Sequence, residues 1–189
     1  MQKKDQVTMS SDASGFVSLA ETLPEAALEI RYYSGNNFIG EHIDGYEEPI
    51  ALLTKEAAYA LKEVSNELLT RGYRLKIFDA YRPARAVAHF VNWAMDPDDT
   101  KMKEAYYPGL DKSDLIPQGY IAKHSSHSQG STVDLTLVDE KTGEEIDMGG
   151  SFDFFGEESH PDYPGVTKEQ FGNRMLLRET MIRHGFRPL

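Results

Sequence analysis

Apolar residues recur at helical spacing in three parts of the chain. One helix is predicted to start at Pro83 and to continue through "ARAVAHFVNWAM", because proline is favoured in the first turn of a helix. Another is predicted to run from the capping-box pair Thr167 and Gln170 to His184. The remaining helix, the earliest in the chain, is predicted between residues 53 and 72, where apolar residues are separated by 4, 3 and 4 positions: Ala57, Leu61, Val64 and Leu68.

Alternation of apolar and polar positions predicts two strands. One is the short run "YRLKIFDAY", in which Leu75 and Ile77 share a face. The other is "STVDLTLVD", where Asp134 points away from the apolar side on which Leu135 and Leu137 lie. After the turn "DEKTGEE", the run "EIDM" is a candidate hairpin partner. Helices before and after a small antiparallel sheet predict an α+β fold.

The length of 189 residues and the 40% apolar content fit one domain with a sizeable core. The sequence contains no internal repeat, low-complexity block or linker-like composition shift. Residues 1–16 are polar and predict a poorly ordered lead-in, so the single domain is expected to span residues 17–189.

Charge and cysteine content exclude several classes of protein. The net charge of −11 disfavours nucleic acid as a partner. Without cysteine the chain can form neither disulfides nor thiolate zinc sites, nor can it use a cysteine nucleophile. No segment has the apolar length of a membrane span or of a signal-peptide core, so the cytoplasm is the expected compartment. The periplasm is the alternative if a leader has been removed, and the oligomeric state is left open.

The stretch "KHSSHSQGSTVD" places His127 seven positions before Asp134. An odd separation puts two residues on opposite faces of a straight strand, so a turn is needed if they are to meet. "SQGS", with Gly130, can supply that turn. Imidazole nitrogen and carboxylate oxygen are ligands that zinc accepts. On local sequence alone, a structural hydrogen bond between the two side chains is the more common alternative.

Several spaced motifs share one resemblance. "SSHSQGSTVD" fits S-x-H-x-x-G-x-x-x-D, and "RYYSGNNFIG", "DGYE", "FDAYRPARA" and "SFDFFGEESH" stand in the expected order around it. From about residue 30 to its end, the chain resembles the M15-type zinc peptidases, and within them most closely the D-alanyl-D-alanine dipeptidases. The resemblance implies a zinc D,D-peptidase-like fold with a small antiparallel sheet flanked by helices.

The resemblance also implies one zinc ion per chain, held by two histidines and an aspartate with a fourth position open to water. His127 and Asp134 match the first histidine and the aspartate. Zinc in such a site lowers the pKa of its water to about 7 and polarises the scissile carbonyl. A carboxylate then has to act as general base.

Other matched positions carry implied roles. Arg82 matches an arginine that stabilises the transition state, which suits a guanidinium that never loses its charge. The alternative is a pairing of Arg82 with Asp79 or with the backbone that only fixes a turn. Tyr32, Ser125 and Asp153 match positions around the free amino end of the substrate. For Asp153 the alternative is an aspartate of a loop that faces solvent.

In the family, an E-x-x-H segment carries the general base and the last zinc histidine, and it should follow "HGFRPL" closely. The printed sequence stops at Leu189 before any such segment. Three explanations are open: a truncated product, a naturally shortened and inactive protein, or a site completed by His160 or His184. Truncation is preferred, because the upstream motifs are intact. The chain as printed is then expected to bind metal weakly and to hydrolyse little.

The function implied by the resemblance is zinc-dependent hydrolysis of D-alanyl-D-alanine or a similar small D-containing dipeptide. Such a reaction belongs to bacterial cell-wall metabolism and, in some relatives, to glycopeptide resistance. The alternatives are a D,D-carboxypeptidase of the same fold and a non-enzymatic module that binds peptides. A requirement for a free amino group would separate a dipeptidase from a carboxypeptidase.

Overall fold

The computed structural model describes residues 15–188 of the chain. Two of its turns are 3₁₀ helices, at Ser126–Gln129 and Glu157–Ser159. In chain order the strands and helices are β1 (Phe16–Ser18), α1 (Leu19–Thr22), β2 (Ala27–Leu28), β3 (Leu52–Thr54), α2 (Lys55–Leu69), β4 (Tyr73–Asp79), α3 (Ala84–Met95), α4 (Lys103–Tyr106), α5 (Lys112–Leu115), β5 (Asp134–Asp139) and α6 (Lys168–Arg183).

The three predicted helices are present as α2, α3 and α6. The four apolar residues that predicted α2 are all buried, and the Thr54 side chain accepts a hydrogen bond from the backbone N–H of Ala57 at its start. Helix α3 begins directly after Pro83. Helix α6 opens with both hydrogen bonds of the predicted capping box between Thr167 and Gln170. Local spacing and caps therefore locate these helices correctly.

The main sheet has the order β2–β4–β5, and β1 pairs with β3 in a separate antiparallel pair. Strands β4 and β5 are the two predicted strands, and they pair antiparallel with Leu75 opposite Leu137. Strand β2 pairs in parallel with the other edge of β4. Because β2 has only two residues, the alternation of apolar and polar positions could not predict it. The run "EIDM" returns along β5 with only an isolated bridge between Glu145 and Val138.

The core lies between the helices and the sheet. Leu75 and Ile77 of β4 are fully buried, as are Leu61 and Leu68 of α2. Burying such aliphatic side chains stabilises the fold by about 1.5–3 kcal/mol each. The α+β fold class, with small sheets flanked by helices, is thereby confirmed.

The predicted lead-in, residues 1–16, falls almost entirely outside the described part of the chain. Its last residue, Phe16, is the first residue of β1. Among the helices of residues 15–188, none has both the length and the apolar character that crossing a membrane requires.

Candidate active site

Asp79 and Asp134 are placed opposite each other by the sheet. The register of β4 and β5 shifts between Ile77 and Asp79, so that Asp79 at the end of β4 pairs with Asp134 at the start of β5. Two like charges directly across a strand pair repel each other. A positive charge beside them is therefore required, and Arg82 follows β4 by three residues.

The chain turns between His127 and Asp134 as predicted. His127 lies in the 3₁₀ turn Ser126–Gln129, and Gly130 closes it with a φ of 75°. A Cβ at Gly130 would stand 2.2 Å from the Phe16 ring, so both backbone conformation and space require glycine there. The turn brings the imidazole back towards Asp134.

His127 is held by contacts at both ring nitrogens. Its Nδ1 lies 2.8 Å from the carbonyl oxygen of Ala80, an acceptor only, so Nδ1 carries the hydrogen. Its Nε2 is 3.4 Å from Oδ1 of Asp134. Burial alone would lower the pKa of His127, but the hydrogen bond and negative charge of Asp134 outweigh burial and raise it.

The Arg82 guanidinium bridges the two aspartates. Its Nε and Nη2 each donate to Oδ2 of Asp79 at 2.9 Å, and Nη2 is 3.4 Å from Oδ2 of Asp134. The same group lies 5.1 Å from the ring centre of Tyr32 and 5.2 Å from that of Phe90. The Asp79 pairing that the sequence left as an alternative exists, and Arg82 nevertheless faces Asp134 as well.

Without a proton on His127, the charges of this group do not balance. Burial raises the pKa of Asp79 to about 6, although Arg82 opposes the rise and Asp134 adds to it. Burial also acts to raise the pKa of Asp134, but the His127 hydrogen bond overcomes it and the net shift is downward. With both carboxylates ionised and His127 neutral, Arg82 leaves one negative charge uncompensated. Buried charges of this kind are paired or bind a metal.

Asp153 approaches from the loop after β5. It has a φ of 59°, the one positive value among the non-glycine residues that the structure describes. Its Oδ2 accepts a hydrogen bond from the Tyr32 hydroxyl at 2.7 Å. Burial raises the pKa of Asp153 to about 7, and the nearby Asp134 contributes to the rise. Asp153 is therefore partly buried and oriented, unlike an aspartate of a free surface loop.

All six residues singled out by the sequence line one cavity of about 200 Å³. Its apolar wall includes Phe38, Phe90 and Phe155. Ser125 also shapes the cavity indirectly, because its Oγ accepts from the backbone N–H of His127 at 3.2 Å. The six residues are Tyr32, Arg82, Ser125, His127, Asp134 and Asp153. Their roles remain predictions.

A larger groove of about 1050 Å³ adjoins this cavity. Asp134 and Asp153 line both spaces. The groove runs along β5 and α6, where Leu135, Leu177 and Met181 form part of its wall. The two carboxylates therefore stand at the boundary between the small cavity and the groove.

The donor spacing fits a zinc ion between His127 and Asp134. Two ligands at about 2.0–2.2 Å from a tetrahedral zinc are about 3.3–3.6 Å apart. The Nε2–Oδ1 separation of 3.4 Å agrees with that value. Asp79 also lies within 4.8 Å of both groups. Asp79, however, approaches Nδ1 on the opposite side of the imidazole ring, and its oxygens already accept from Arg82 and Tyr46.

The other candidate histidines lie elsewhere. His160 follows the 3₁₀ turn Glu157–Ser159 and is exposed. The His184 Nε2 lies 3.0 Å from Oε2 of Glu67 on α2. Within residues 15–188, neither belongs to the group of acidic and histidine side chains that could share a metal.

Sequence reasoning treated Asp79 only as a partner of Arg82 and did not single out Tyr46. Asp79 is fully buried, and its Oδ1 accepts a hydrogen bond from the Tyr46 hydroxyl at 2.7 Å. A usable signal was present, because a carboxylate that directly follows the buried run of a strand needs buried partners. Nothing local identified Tyr46 as that partner.

Comparisons with known proteins agree on one family. The model of the M15 peptidase family, described as D-ala-D-ala dipeptidase, matches residues 12–188. A D-alanyl-D-alanine dipeptidase of Enterococcus faecalis is 42% identical over 173 residues, which cover 92% of this chain and 86% of that protein. Those of Enterococcus faecium and Streptomyces coelicolor are 41% and 35% identical, over 91% and 90% of this chain and 85% of each relative.

Proposed function

The chain belongs to the M15 family of D-alanyl-D-alanine dipeptidases, and from that membership we propose that it hydrolyses D-alanyl-D-alanine. We propose further that one zinc ion binds at His127 and Asp134. The observation that carries the proposal is the convergence of a zinc-spaced His–Asp pair, Arg82 and Asp153 on one small cavity. Each of these groups suits a different part of a dipeptide.

Asp153 suits the ammonium group of the substrate. Its Oδ2 is occupied by the Tyr32 hydroxyl, so Oδ1 is the oxygen left for a charged donor. An ammonium ion beside this partly desolvated carboxylate would form a charge-assisted hydrogen bond. A blocked amino group would lose that bond and would have to fit into a confined space. We therefore propose that Asp153 makes the free amino end a requirement.

Arg82 suits the charge that develops on the scissile carbonyl. Its guanidinium is fixed by Asp79 and by the rings of Tyr32 and Phe90, so it needs little rearrangement as the reaction proceeds. When bound, zinc would supply a Lewis acid that polarises this carbonyl and activates a water molecule. Arg82 would donate to the oxyanion.

The general base and the third zinc ligand are assigned by resemblance to an E-x-x-H segment that follows "HGFRPL". We propose that hydrolysis requires a segment of this kind, because it would supply the general base. A polypeptide of residues 1–189 that turns over D-alanyl-D-alanine efficiently would refute this part.

The size of the cavity favours a dipeptide. Sites for drug-sized ligands usually occupy about 300–1,000 Å³, and this cavity of about 200 Å³ is smaller. A D,D-carboxypeptidase is the second candidate, because the groove of about 1050 Å³ shares Asp134 and Asp153 and has room for a longer peptide. In either case we propose a place in bacterial cell-wall metabolism, and for the dipeptidase a role in glycopeptide resistance.

The deciding experiment measures release of D-alanine from D-alanyl-D-alanine by the zinc-loaded full-length protein. L-alanyl-L-alanine tests stereochemistry, and N-acetyl-D-alanyl-D-alanine tests the need for a free amino group. We expect cleavage of the free D,D-dipeptide only. Preferred cleavage of the acetylated peptide would support the carboxypeptidase, and no cleavage of either, with zinc bound at one ion per chain, would overturn the proposal.

A further inference from the structure

Asp79 is a fully buried carboxylate that touches the candidate site without lining its cavity. Its two oxygens have different partners. Oδ1 accepts from the Tyr46 hydroxyl at 2.7 Å, and Oδ2 accepts from both Nε and Nη2 of Arg82 at 2.9 Å. Burying a carboxylate is costly unless it is fully hydrogen-bonded, so this arrangement calls for a reason.

Binding of a metal ion does not explain why the Asp79 carboxylate is buried. Asp79 Oδ2 is 3.4 Å from Nδ1 of His127, and the hydrogen on that nitrogen is directed to the carbonyl of Ala80. The nitrogen that faces Asp134 is Nε2, on the other side of the ring. Asp79 therefore lies at the ring nitrogen that does not face Asp134, away from the proposed zinc-binding pair.

The burial of Asp79 is better explained by its effect on the position of the Arg82 guanidinium. The guanidinium has two carboxylates within reach, Asp79 at 2.9 Å and Asp134 at 3.4 Å. If Asp79 did not hold one edge of its planar fork, Arg82 would pair fully with Asp134. That pairing would neutralise the proposed zinc ligand and turn the guanidinium away from the substrate carbonyl.

We propose that Asp79 is a positioning residue that fixes Arg82 for catalysis, and that Tyr46 fixes Asp79. This inference rests on the proposed function. Tyr46 is buried, its hydroxyl donates to Asp79, and its ring centre lies 5.5 Å from that of Tyr32. It comes from the "DGYE" segment, to which the candidate site gave no other role.

The first test is Asp79→Asn, which keeps the shape of the side chain and removes its charge. We expect kcat to fall about 10–100-fold with KM within about 2-fold and with one zinc ion per chain retained. Loss of the bound zinc would show that Asp79 is a ligand and would overturn the proposal. An unchanged kcat would overturn it as well.

A double-mutant cycle separates positioning from a general structural role. In an Arg82→Ala background, Asp79→Asn should lower kcat by no more than about 2-fold further, because the group that it positions is already gone. A further loss as large as in the wild-type background would show that Asp79 acts by another route. The thermal midpoint of every variant is measured together with its kinetics, so that a loss of stability can be told from a loss of positioning.

A spectroscopic test works without turnover. The Arg82 Nε–H is partly buried and donates to the buried Asp79 carboxylate, so its proton should exchange slowly with solvent in the NMR spectrum of the wild-type protein. Asp79→Asn should speed that exchange at least 10-fold. Unchanged protection would overturn the proposal.

Tyr46→Phe is a second variant that preserves core volume. It should lower kcat about 3-fold and speed Arg82 Nε–H exchange less than Asp79→Asn does. Tyr59→Phe is the matched control, because Tyr59 lies exposed on α2, and it should change neither quantity. If the wild-type protein fails to cleave D-alanyl-D-alanine, the proposed function fails, while the exchange measurement still reports on Asp79 and Arg82.

Discussion

Two clusters of very similar side chains stand in opposite surroundings in this molecule. The inner cluster lies between β4 and β5, and the outer cluster joins α2 to the end of α6. In both, arginine and histidine surround a carboxylate that accepts several hydrogen bonds. The inner cluster consists of Asp79, Arg82, His127 and Asp134, and the outer cluster of Glu67, Arg71, Arg183 and His184.

The pKa of the central carboxylate moves in opposite directions in the two clusters. Burial raises that of Asp79 to about 6 in spite of Arg82. Hydrogen bonds from Arg183 and His184 lower that of Glu67 to about 2, because Glu67 stays in contact with water. Desolvation outweighs pairing in one case and pairing outweighs desolvation in the other. Residue types alone therefore do not decide the chemistry of a charged cluster.

Net charge differs as well. With histidine neutral, the inner cluster has two carboxylates for one arginine, and the outer cluster has one carboxylate for two arginines. A buried excess of negative charge favours binding of a cation, whereas an exposed excess of positive charge is satisfied by water and salt. The comparison predicts that function resides in the inner cluster and stability alone in the outer one.

The largest effect is expected from His127→Ala. It removes one proposed zinc ligand, so bound zinc should fall well below one ion per chain and hydrolysis should fall to background. Metal content by mass spectrometry and release of D-alanine measure the two effects. His184→Ala, the matched change in the outer cluster, should keep both zinc and activity. Equal losses in the two variants would break the comparison.

Arg82→Ala should come next. Removing a fixed donor to a developing oxyanion costs on the order of 10²–10³-fold in kcat, and zinc should remain bound. Steady-state kinetics on D-alanyl-D-alanine give the loss. Arg71→Ala is the control, because Arg71 pairs with Glu67 at 2.9 Å in the outer cluster. Activity lost in Arg71→Ala would contradict the assignment.

Asp153→Ala should act mainly through the amino group of the substrate. Losing a desolvated charge pair typically costs about 2–5 kcal/mol, so kcat/KM for the free dipeptide should fall at least on the order of 30-fold. Any residual cleavage of the N-acetyl peptide should change little. Asp162→Ala, in the exposed part of the same loop, is the control. Equal losses on both substrates would count against an ammonium role.

Glu67→Gln should give the smallest effect, on stability and not on activity. Because the pKa of Glu67 is lowered from 4.5 to about 2 by folding, its stabilisation is complete above pH 4.5 and is lost as the pH falls towards 2. Thermal midpoints of the wild type and the variant should differ modestly at pH 7 and converge as the pH falls to about 2. A gap that persists at low pH would refute this account.

Local pattern was a sufficient guide for the three long helices and for the strand pair β4–β5, but not for the four-residue helices α1, α4 and α5 or for the pair β1–β3. Helix α6 shows why: the Thr167–Gln170 capping box lies within four residues, and both of its hydrogen bonds form as predicted. The strand β5 was readable because apolar and polar residues alternate along part of it, although Thr136 and Val138 on the other face are buried as well. Strand β2 was not, since two residues carry no period and its parallel partner is distant in the chain.

The candidate site was predicted as a list of residues and not as an arrangement. The motif spacing and the resemblance named its six members, and they line one cavity. The hydrogen bonds that orient them join positions far apart: Tyr32 and Asp153 are separated by 121 residues, and Tyr46 and Asp79 by 33. No periodicity or short motif encodes such pairs, so Tyr46 was missed.

The sequence by itself determined the α+β class, the three main helices, the two central strands and the turn at Gly130. These features depend on hydrogen bonds and burial patterns within a few residues of each other. Only the tertiary structure decided which carboxylate is desolvated, which oxygen of Asp79 each partner occupies and which nitrogen of His127 faces Asp134. Those choices depend on the low dielectric and the fixed distances that exist once distant segments have packed together.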